Sequence, residues 1–191
     1  MTQDIYKICP TYKNTLITLR KTKIEDADRL LKCYSDEKAV PFFNSDNCHG
    51  DNFHYTTKER IEEAIKFWES SYSNGYFIRW TIILNSTKEI IGTIEMFHRY
   101  AEDKFNHCGI LRMDLQSKHE KQQIIESILS VVNEFFYEAF QVNTILTKCI
   151  PAAKERATSL NNAGYKSINE KFMIYDDYYS RENTISCVTI E

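Results

Sequence analysis

The sequence is poor in glycine, with five residues in 191. It also has no apolar run that approaches the roughly 20 residues needed to span a bilayer, so we expect no membrane segment. Lysine and arginine number 24 against 27 aspartates and glutamates, which gives a formal net charge of −3. Without an excess of positive charge, the chain has no general attraction for nucleic acid or anionic membranes. We therefore expect neither as a partner.

The six cysteines contain no Cys-x-x-Cys pair and are scattered along the chain. In a domain of this size such cysteines are typical of reduced, mostly buried thiols. The N-terminus lacks a charged start followed by an apolar stretch, so no secretory signal is expected. Together these features predict a cytoplasmic protein.

Hydrophobic residues make up 42% of the chain and charged residues 27%. This balance is typical of folded soluble proteins, and the length suits one domain with a substantial core. We see no repeat or linker, so residues 1–191 are predicted to form a single domain. The sequence leaves open whether residues 1–13 are an ordered or a poorly ordered N-terminal extension, and whether the protein is a monomer or a homodimer.

Hydrophobic periodicity predicts an α+β fold with the element order β-α-α-β-β-β-α-β-α-β-β. Such an order places a mixed central sheet of about six to seven strands between helices. The predicted strands are 15–20, 76–84, 90–98, 108–115, 143–150, 165–174 and 184–190, and the predicted helices are 24–34, 56–74, 124–140 and 152–163.

The stretch 108–140 is the centre of this prediction. It reads as a strand, a polar turn at 116–123 and a long amphipathic helix with an apolar face. A strand that leads through a polar turn into a helix brings free backbone N–H groups to one point, at the positive end of the helix dipole. Such a place suits an anion, although any βα unit has the same pattern.

A long non-periodic connection at 35–55 is dense in aromatic residues, Asn, Asp and His. Connections of this length are usually functional or disordered, and the aromatic content argues against disorder. We interpret it as the wall of a ligand site, in which Asn44, Asp46 and His49 would suit an amine-bearing acceptor. The alternatives are weaker: Cys48 and His49 are adjacent and would rarely face each other as nucleophile and base, and the spacing fits no standard metal site, so no metal is expected.

Three phrases of the sequence resemble a known family. They are Leu19-Arg20 followed by Ile24-Glu-Asp-Ala27, Ile90-Ile-Gly-Thr-Ile94, and Leu160-Asn-Asn-Ala-Gly-Tyr165. In this order and spacing they resemble the Gcn5-related N-acetyltransferase (GNAT) superfamily, and most closely its ribosomal-protein N-terminal acetyltransferase (RimJ/RimL-type) branch. The resemblance covers residues 15–190 and implies the fold predicted above.

The resemblance implies acetyl-coenzyme A as co-substrate. In the family, strand amides receive the acetyl carbonyl, and a glycine-rich turn after that strand holds the pyrophosphate. These parts fall on Met113, Asp114 and Leu115, and on the turn Lys121, Gln122, Gln123 and Ile124. Gln122 and Ile124 stand where the family has glycine, so this pyrophosphate motif is degraded.

The resemblance further implies a base for the acceptor amine, for which Glu95 on its strand is the candidate. Arg112 shares a face of the central strand with Asp114 and could line the acceptor side or form an internal salt bridge. Two functions remain open. One is transfer of acetyl from acetyl-coenzyme A to a primary amine of a small molecule or a protein N-terminus, directly in a ternary complex. The other is a non-catalytic module that has lost cofactor binding and recognises a ligand or partner through the 42–55 loop.

Overall fold

A computed structural model describes residues 4–184. The chain forms an open mixed sheet flanked by helices, with eight strands among the described residues, of which β1 and β8 were not predicted. The strands are β1 (Tyr12–Lys13), β2 (Ile17–Lys21), β3 (Ile78–Leu84), β4 (Ile90–Arg99), β5 (Cys108–Leu115), β6 (Thr144–Lys148), β7 (Lys166–Ser167) and β8 (Tyr178–Glu182). The helices are α1 (Ala27–Tyr34), α2 (Lys58–Ser73), α3 (Gln122–Val131), α4 (Tyr137–Phe140) and α5 (Lys154–Asn162).

The sheet has the strand order β1-β2-β3-β4-β5-β6-β8-β7. Neighbouring strands are antiparallel except β5 and β6, which run parallel because α3 and α4 connect them as a crossover. A π-helical turn, Val132–Phe136, joins α3 to α4, so the two form one long helix as predicted. The predicted α+β class is confirmed.

The two faces of the sheet differ in chemistry. The face under α3 is apolar and contributes Trp80, Ile94, Met96, Leu111 and Met113 to the main core. Because strand side chains alternate between faces, the residues between them point toward α1 and α2. These are polar, and all are buried except the half-buried Arg112: Arg79, Thr81, Thr93, Glu95, Arg112 and Asp114.

Helices α1 and α2 cover this polar face and bring a second apolar cluster to its edge. The start of α2 is fixed by Thr57, whose Oγ1 accepts the N–H of Arg60 at 3.2 Å. Its end is at Asn74 and Gly75, as predicted, and Gly75 has φ +73°. The first described residues also belong to the fold, since Ile5 is 7% exposed and lies in the main core.

The last strands differ from the prediction. The predicted strand 165–174 is limited to β7, because Met173 adopts φ +57° and a tight turn pairs Phe172 with Tyr175. The segment 175–180 follows the predicted strand and was expected to be a connection, but its residues 178–180 begin β8, which pairs along the whole of β6. The predicted strand 184–190 lies outside the described residues except for Thr184. Within residues 4–184, no helix is both long and apolar enough to cross a membrane.

Candidate active site

A buried ion network joins β3, β4 and β5. Arg79 donates its Nε–H to Glu95 Oε2 at 2.9 Å, and its terminal nitrogen Nη1 lies 2.7 Å from Asp114 Oδ2. Arg112 donates from Nη1 to the other oxygen of Glu95 at 2.8 Å. Arg79, Glu95 and Arg112 lie opposite one another in register on β3, β4 and β5, while Asp114 lies opposite Thr93. Two positive and two negative charges therefore balance inside the polar face.

Glu95 is 1% exposed, and both of its oxygens accept from guanidinium groups. Burial alone would raise its pKa, but the charges of Arg79 and Arg112 hold the pKa below the ordinary value of 4.5. The carboxylate is thus ionised and strongly held. A carboxylate with a lowered pKa is a weak base. The lowered pKa and the contacts of both oxygens with guanidinium groups therefore favour a role in which Glu95 holds the two arginines in place over a role in which it accepts a proton.

Tyr34, on α1, adds its hydroxyl to the network from the helix layer that covers the polar face of the sheet. Its hydroxyl donates to Asp114 Oδ2 at 2.9 Å and lies 2.7 Å from Thr93 Oγ1. Burial raises the pKa of Tyr34 well above its ordinary value, so the group stays a neutral phenol. One oxygen of Asp114, Oδ1, is buried without a hydrogen-bond partner. Arg79 is therefore held by several partners, whereas Asp114 has one oxygen without a hydrogen bond.

A cavity of about 380 Å³ opens above Arg79, Glu95 and Arg112. Five Phe, Tyr and Trp side chains contribute to its walls, and Arg79 lies 4.4 Å from the ring centre of Trp68. A polar rim is formed where Asp51 Oδ2 accepts from Arg60 at 2.6 Å. The remaining lining comprises Asn47, Cys48, His49, Phe53, Tyr55, Ala64, Phe67 and Phe77. A concave, largely apolar site with a few charged groups at its floor is the usual form of a small-ligand site.

The loop that forms one wall is conformationally unusual. Asn47, His49 and Phe53 have φ of 60°, 54° and 63°, in the left-handed region that disfavours residues with a Cβ. Phe53 is bulky and 7% exposed, and backbone strain of this kind concentrates at ligand sites. Hydrogen bonds to Asp51 from the Phe53 N–H and the Tyr55 hydroxyl hold the strained turn in place.

The residues predicted to bind the acceptor are divided by the structure. His49 and Arg112 line the cavity. Asn44 and Asp46 instead lie behind the loop, where both contact the Tyr178 hydroxyl on β8 and Asp46 also pairs with Lys148 at 2.7 Å. The backbone of Asp46 still reaches the site, because its carbonyl accepts from Arg112 Nη2 at 3.0 Å. These two side chains therefore anchor the loop that carries the cavity wall.

The strand edge predicted to receive the acetyl group is open. β5 pairs with β6 only from Gly109 to Leu111, so the following residues have no strand on that side in the described chain. Gln116 donates its N–H to Ile91 on β4 at 2.9 Å. Because backbone groups alternate along a strand, the N–H groups of Met113 and Leu115 point the other way, toward the open edge. The side chain of Asp114, by contrast, belongs to the ion network.

The turn predicted to hold pyrophosphate already has internal partners. Gln122 donates its N–H to Glu155 Oε2 at 2.8 Å, and Ile124 donates to the Lys121 carbonyl at 3.0 Å. The Gln122 side chain bonds to Glu126 at 2.9 Å, while Lys121 and Gln123 are exposed. The unpaired edge of β5 would offer strand N–H groups to the acetyl carbonyl of acetyl-coenzyme A. The cofactor does not fit at the turn, where side chains replace glycine and a carboxylate occupies an N–H.

Sequence reasoning missed Arg79 and Tyr34, which complete the network. Arg79 was visible as one charge inside an otherwise apolar strand, 16 residues before Glu95 in a predicted hairpin. Folding that hairpin places the two residues opposite each other. Tyr34 gave no such signal, because it belongs to the apolar face of α1. Only the contact of its hydroxyl with Asp114 distinguishes it from the other residues of that face.

The family model for the acetyltransferase (GNAT) domain matches residues 17–166. The chain belongs to this family. The match includes the cavity loop, the four strands β2 to β5 and the turn before α3, so the GNAT resemblance predicted from the sequence is confirmed. Acetyl transfer is the general activity of its named relatives. Among them is the "Uncharacterized N-acetyltransferase YoaA" of Bacillus subtilis (strain 168), which is 24% identical over 139 residues, 71% of either chain.

Solved structures of GNAT proteins share the fold at low sequence identity. The ribosomal-protein-S5-alanine acetyltransferase of Vibrio fischeri has a TM-score of 0.68 at 14% identity and covers 92% of this chain and 98% of its own. RimJ of Mycobacterium smegmatis, solved with CoA-disulfide, has a TM-score of 0.69 at 12% identity and covers 87% of this chain and 81% of its own. The structural neighbours thus include the predicted ribosomal-protein branch. Within residues 4–184, no group of three or more His, Cys, Asp or Glu side chains is placed to hold a metal ion.

Proposed function

We propose that this GNAT protein is an N-acetyltransferase that transfers an acetyl group from acetyl-coenzyme A to a primary amine, directly in a ternary complex. The observation that carries the proposal is the adjacency of Arg112 and Met113 on β5. Arg112 lies in the floor of the aromatic cavity, and Met113 belongs to the open strand edge. An acceptor in the cavity would therefore lie next to the place where the family receives a thioester.

Acetyl-coenzyme A would supply the activated acetyl group. The chain's own contribution is binding and orientation, which can account for a large part of such a rate enhancement. The open N–H groups of Met113 and Leu115 are donors for a carbonyl oxygen. Aromatic side chains line the cavity, and among them Phe53, Tyr55 and Trp68 are each less than 8% exposed.

We propose a positioning role for Glu95, which differs from the base role expected from the family. Its carboxylate fixes Arg112 in the cavity floor through a 2.8 Å contact. The base role stays a prediction. The acceptor class is a primary amine of a small molecule or a peptide, since several fold neighbours are named ribosomal-protein acetyltransferases.

A second candidate function follows from the turn before α3. If the carboxylate on the Gln122 N–H excludes coenzyme A, the protein is a binding module that uses the aromatic cavity without catalysis. The cavity walls, contributed largely by the 42–55 loop and α2, would then be its recognition surface.

Calorimetry with acetyl-coenzyme A separates the two functions, with desulfo-coenzyme A as a non-reactive ligand. Micromolar binding, about −8 kcal/mol, followed by acetylation of an amine from a panel of peptides and small amines, supports the enzyme. Absence of binding at millimolar concentration removes it and leaves the binding module.

A variant with a larger side chain in the cavity wall tests whether the acceptor binds in the cavity. Ala64 on α2 lines it and is 4% exposed, so Ala64→Leu should raise the acceptor KM while the cofactor Kd stays unchanged. Ala152→Leu is the matched control, since Ala152 is exposed and does not line the cavity. An equal acceptor KM in both variants would show that the amine binds elsewhere.

A further inference from the structure

A second cavity lies at the end of the sheet where β3 begins and β4 ends. Its volume is about 380 Å³, which is within the usual range of small-ligand sites. We call it the tyrosine pocket, because its lining includes Asp4, Tyr6, Tyr76, His98, Tyr100 and Phe140. Phe77, the residue after Tyr76, lines the aromatic cavity, so the two cavities are neighbours with separate linings.

Two tyrosines of this pocket are exposed to an unusual degree. Tyr76 is 69% exposed and Tyr100 is 70% exposed. Single exposed aromatic side chains are common on protein surfaces, but large ones that are grouped at one concave place are typical of a binding surface. The pocket therefore offers ring surface that the fold itself does not bury.

The rings of the pocket come from separate elements of the fold. Tyr6, from the segment before β1, meets Phe140, at the end of α4, edge to face with 6.5 Å between ring centres. Tyr100 follows β4, and its ring stacks on the His98 imidazole with 4.1 Å between ring centres. These contacts hold the exposed Tyr100 ring and the Tyr6 ring in place before any ligand arrives.

The formal charge in the lining is negative. Asp4 is the acidic residue of the pocket, and no lysine or arginine lines it among residues 4–184. Lys7 lies 4.0 Å from Asp4, but its side chain is 82% exposed, and an exposed pair of this kind contributes little. Burial lowers the pKa of His98 below 6.5, so its imidazole is neutral at pH 7. The lining thus does not suit a phosphate or a carboxylate.

Tyr6 senses the same electrostatic field. Burial raises its pKa to about 12, and the nearby carboxylate of Asp4 contributes to the increase. A position that disfavours a further negative charge favours a positive one. The electrostatics at Tyr6 and the charge of the lining therefore indicate the same sign of ligand.

We propose that the tyrosine pocket binds a small organic ammonium ion through the rings of Tyr6, Tyr76 and Tyr100 and the carboxylate of Asp4. The face of an aromatic ring is negative and attracts a cation, and several rings together recognise alkylated ammonium groups. A free quaternary amine and the end of a lysine side chain share this chemistry. The site is separate from the aromatic cavity, and its occupation does not depend on acetyl transfer.

The test is binding measured by calorimetry, with choline as a cation and 3,3-dimethylbutan-1-ol as a neutral compound of the same shape. Choline should bind with a Kd of about 1 mM or lower, and the alcohol about tenfold more weakly, because only the cation is attracted by ring faces and a carboxylate. Nα-acetyl-lysinamide presents a lysine side chain without a free α-amine. The tighter of the two cations identifies the source of the ammonium group.

Variants at Tyr100 locate the site. Tyr100→Leu removes the ring and should weaken binding of the cation about three- to fivefold, while Tyr100→Phe keeps the ring and should bind as the wild type does. Both should fold, since Tyr100 is exposed. Asp4→Asn should weaken the cation by a similar factor and leave the alcohol unchanged. Phe67→Leu is the control, because Phe67 is a 63% exposed aromatic residue that lines the other cavity.

Three results would overturn the proposal. Equal affinities for choline and the alcohol would show a pocket that is merely apolar. Neither cation saturating the protein by about 50 mM would show that no such site exists. A loss of cation affinity in Phe67→Leu, with Tyr100→Leu and Asp4→Asn unchanged, would place the ammonium ion in the aromatic cavity instead.

Discussion

Arg79 and Glu95 form a buried pair across β3 and β4, with 2.9 Å between Nε and Oε2 and both side chains at most 2% exposed. Desolvating two charges is costly, and a buried pair repays this cost only with close geometry and further hydrogen bonds. Here Arg79 contacts Asp114, Tyr34 and Thr93 in addition to Glu95. The pair is therefore well satisfied, and removing one member leaves the other charged and buried.

We expect Glu95→Gln to lower the free energy of unfolding by about 3–5 kcal/mol, because Arg112 loses its counter-charge and Arg79 keeps only that of Asp114. Denaturant unfolding measures the loss, with the exposed Glu102→Gln as control. If the acetyltransferase activity of the folded variant falls with a shifted pH profile, the base role is supported. If the activity falls and its pH profile does not shift, Glu95 acts by positioning. An unchanged free energy of unfolding would show that the ion network does not stabilise the fold.

Asp26 gives the protein a predictable dependence on acid. Arg20 donates to both of its oxygens, at 2.7 and 2.6 Å, and Thr81 donates at 2.9 Å. Burial would raise the Asp26 pKa, but these bonds lower it below 3.8. A lowered folded-state pKa adds stability above the unfolded pKa, and this stability is lost as the pH falls through the folded value.

Asp26→Asn should therefore cost about 2 kcal/mol at pH 7, and this difference from the wild type should shrink below about pH 4. Unfolding by denaturant at several pH values measures it. Asp28→Asn, on the exposed side of α1, is the control. A difference that does not depend on pH would mean that Asp26 acts through packing and not through its charge.

Gly92 and Gly109 differ in the space that a side chain would find at each position. A Cβ on Gly92 would overlap the backbone oxygen of Asp114, which cannot move without disturbing the β4–β5 ladder. A Cβ on Gly109 would mainly meet the flexible end of the Met96 side chain. We expect Gly92→Ala to be destabilising by several kcal/mol, and Gly109→Ala by about 1–3 kcal/mol. Equal thermal shifts in the two variants would contradict this difference.

The described cysteines should react slowly with thiol reagents. Burial raises the pKa of Cys9, Cys108 and Cys149 to about 11, so little thiolate is present at neutral pH. Cys48 also has a raised pKa, but it lines the cavity. Cys187 lies outside the described residues and is replaced by serine for this experiment. In the Cys187→Ser variant, mass spectrometry after alkylation should show that any ligand that fills the cavity protects Cys48. Alkylation of Cys48 at an unchanged rate with saturating ligand would place that ligand elsewhere.

Much of the fold could be predicted from local pattern. The order of elements follows from periods of 2 and 3.6, and the 76–98 hairpin from two β-rich runs around a polar turn. The network was not predicted, because Arg79, Glu95 and Arg112 meet only when the strands are placed in register. A polar residue inside each of three successive apolar strands was the available signal.

The turn before α3 could be located from sequence, but the partners of its N–H groups could not be predicted. The replacement of glycine by Gln122 and Ile124 is visible in the chain, and it indicates an altered turn. The carboxylate that accepts the Gln122 N–H belongs to Glu155, which is an ordinary surface residue in sequence. Its contact depends on how α5 packs beside the turn, which no local pattern encodes.

The buried network also limits how this sequence can change over generations. Arg79, Glu95, Arg112 and Asp114 lie on three strands but balance one another's charge. A single replacement leaves an unpaired charge, so each first step is costly while a joint replacement by apolar residues is not. We expect descendants of this chain to keep all four or to lose them together, so that aligned relatives would show the four positions varying as one unit.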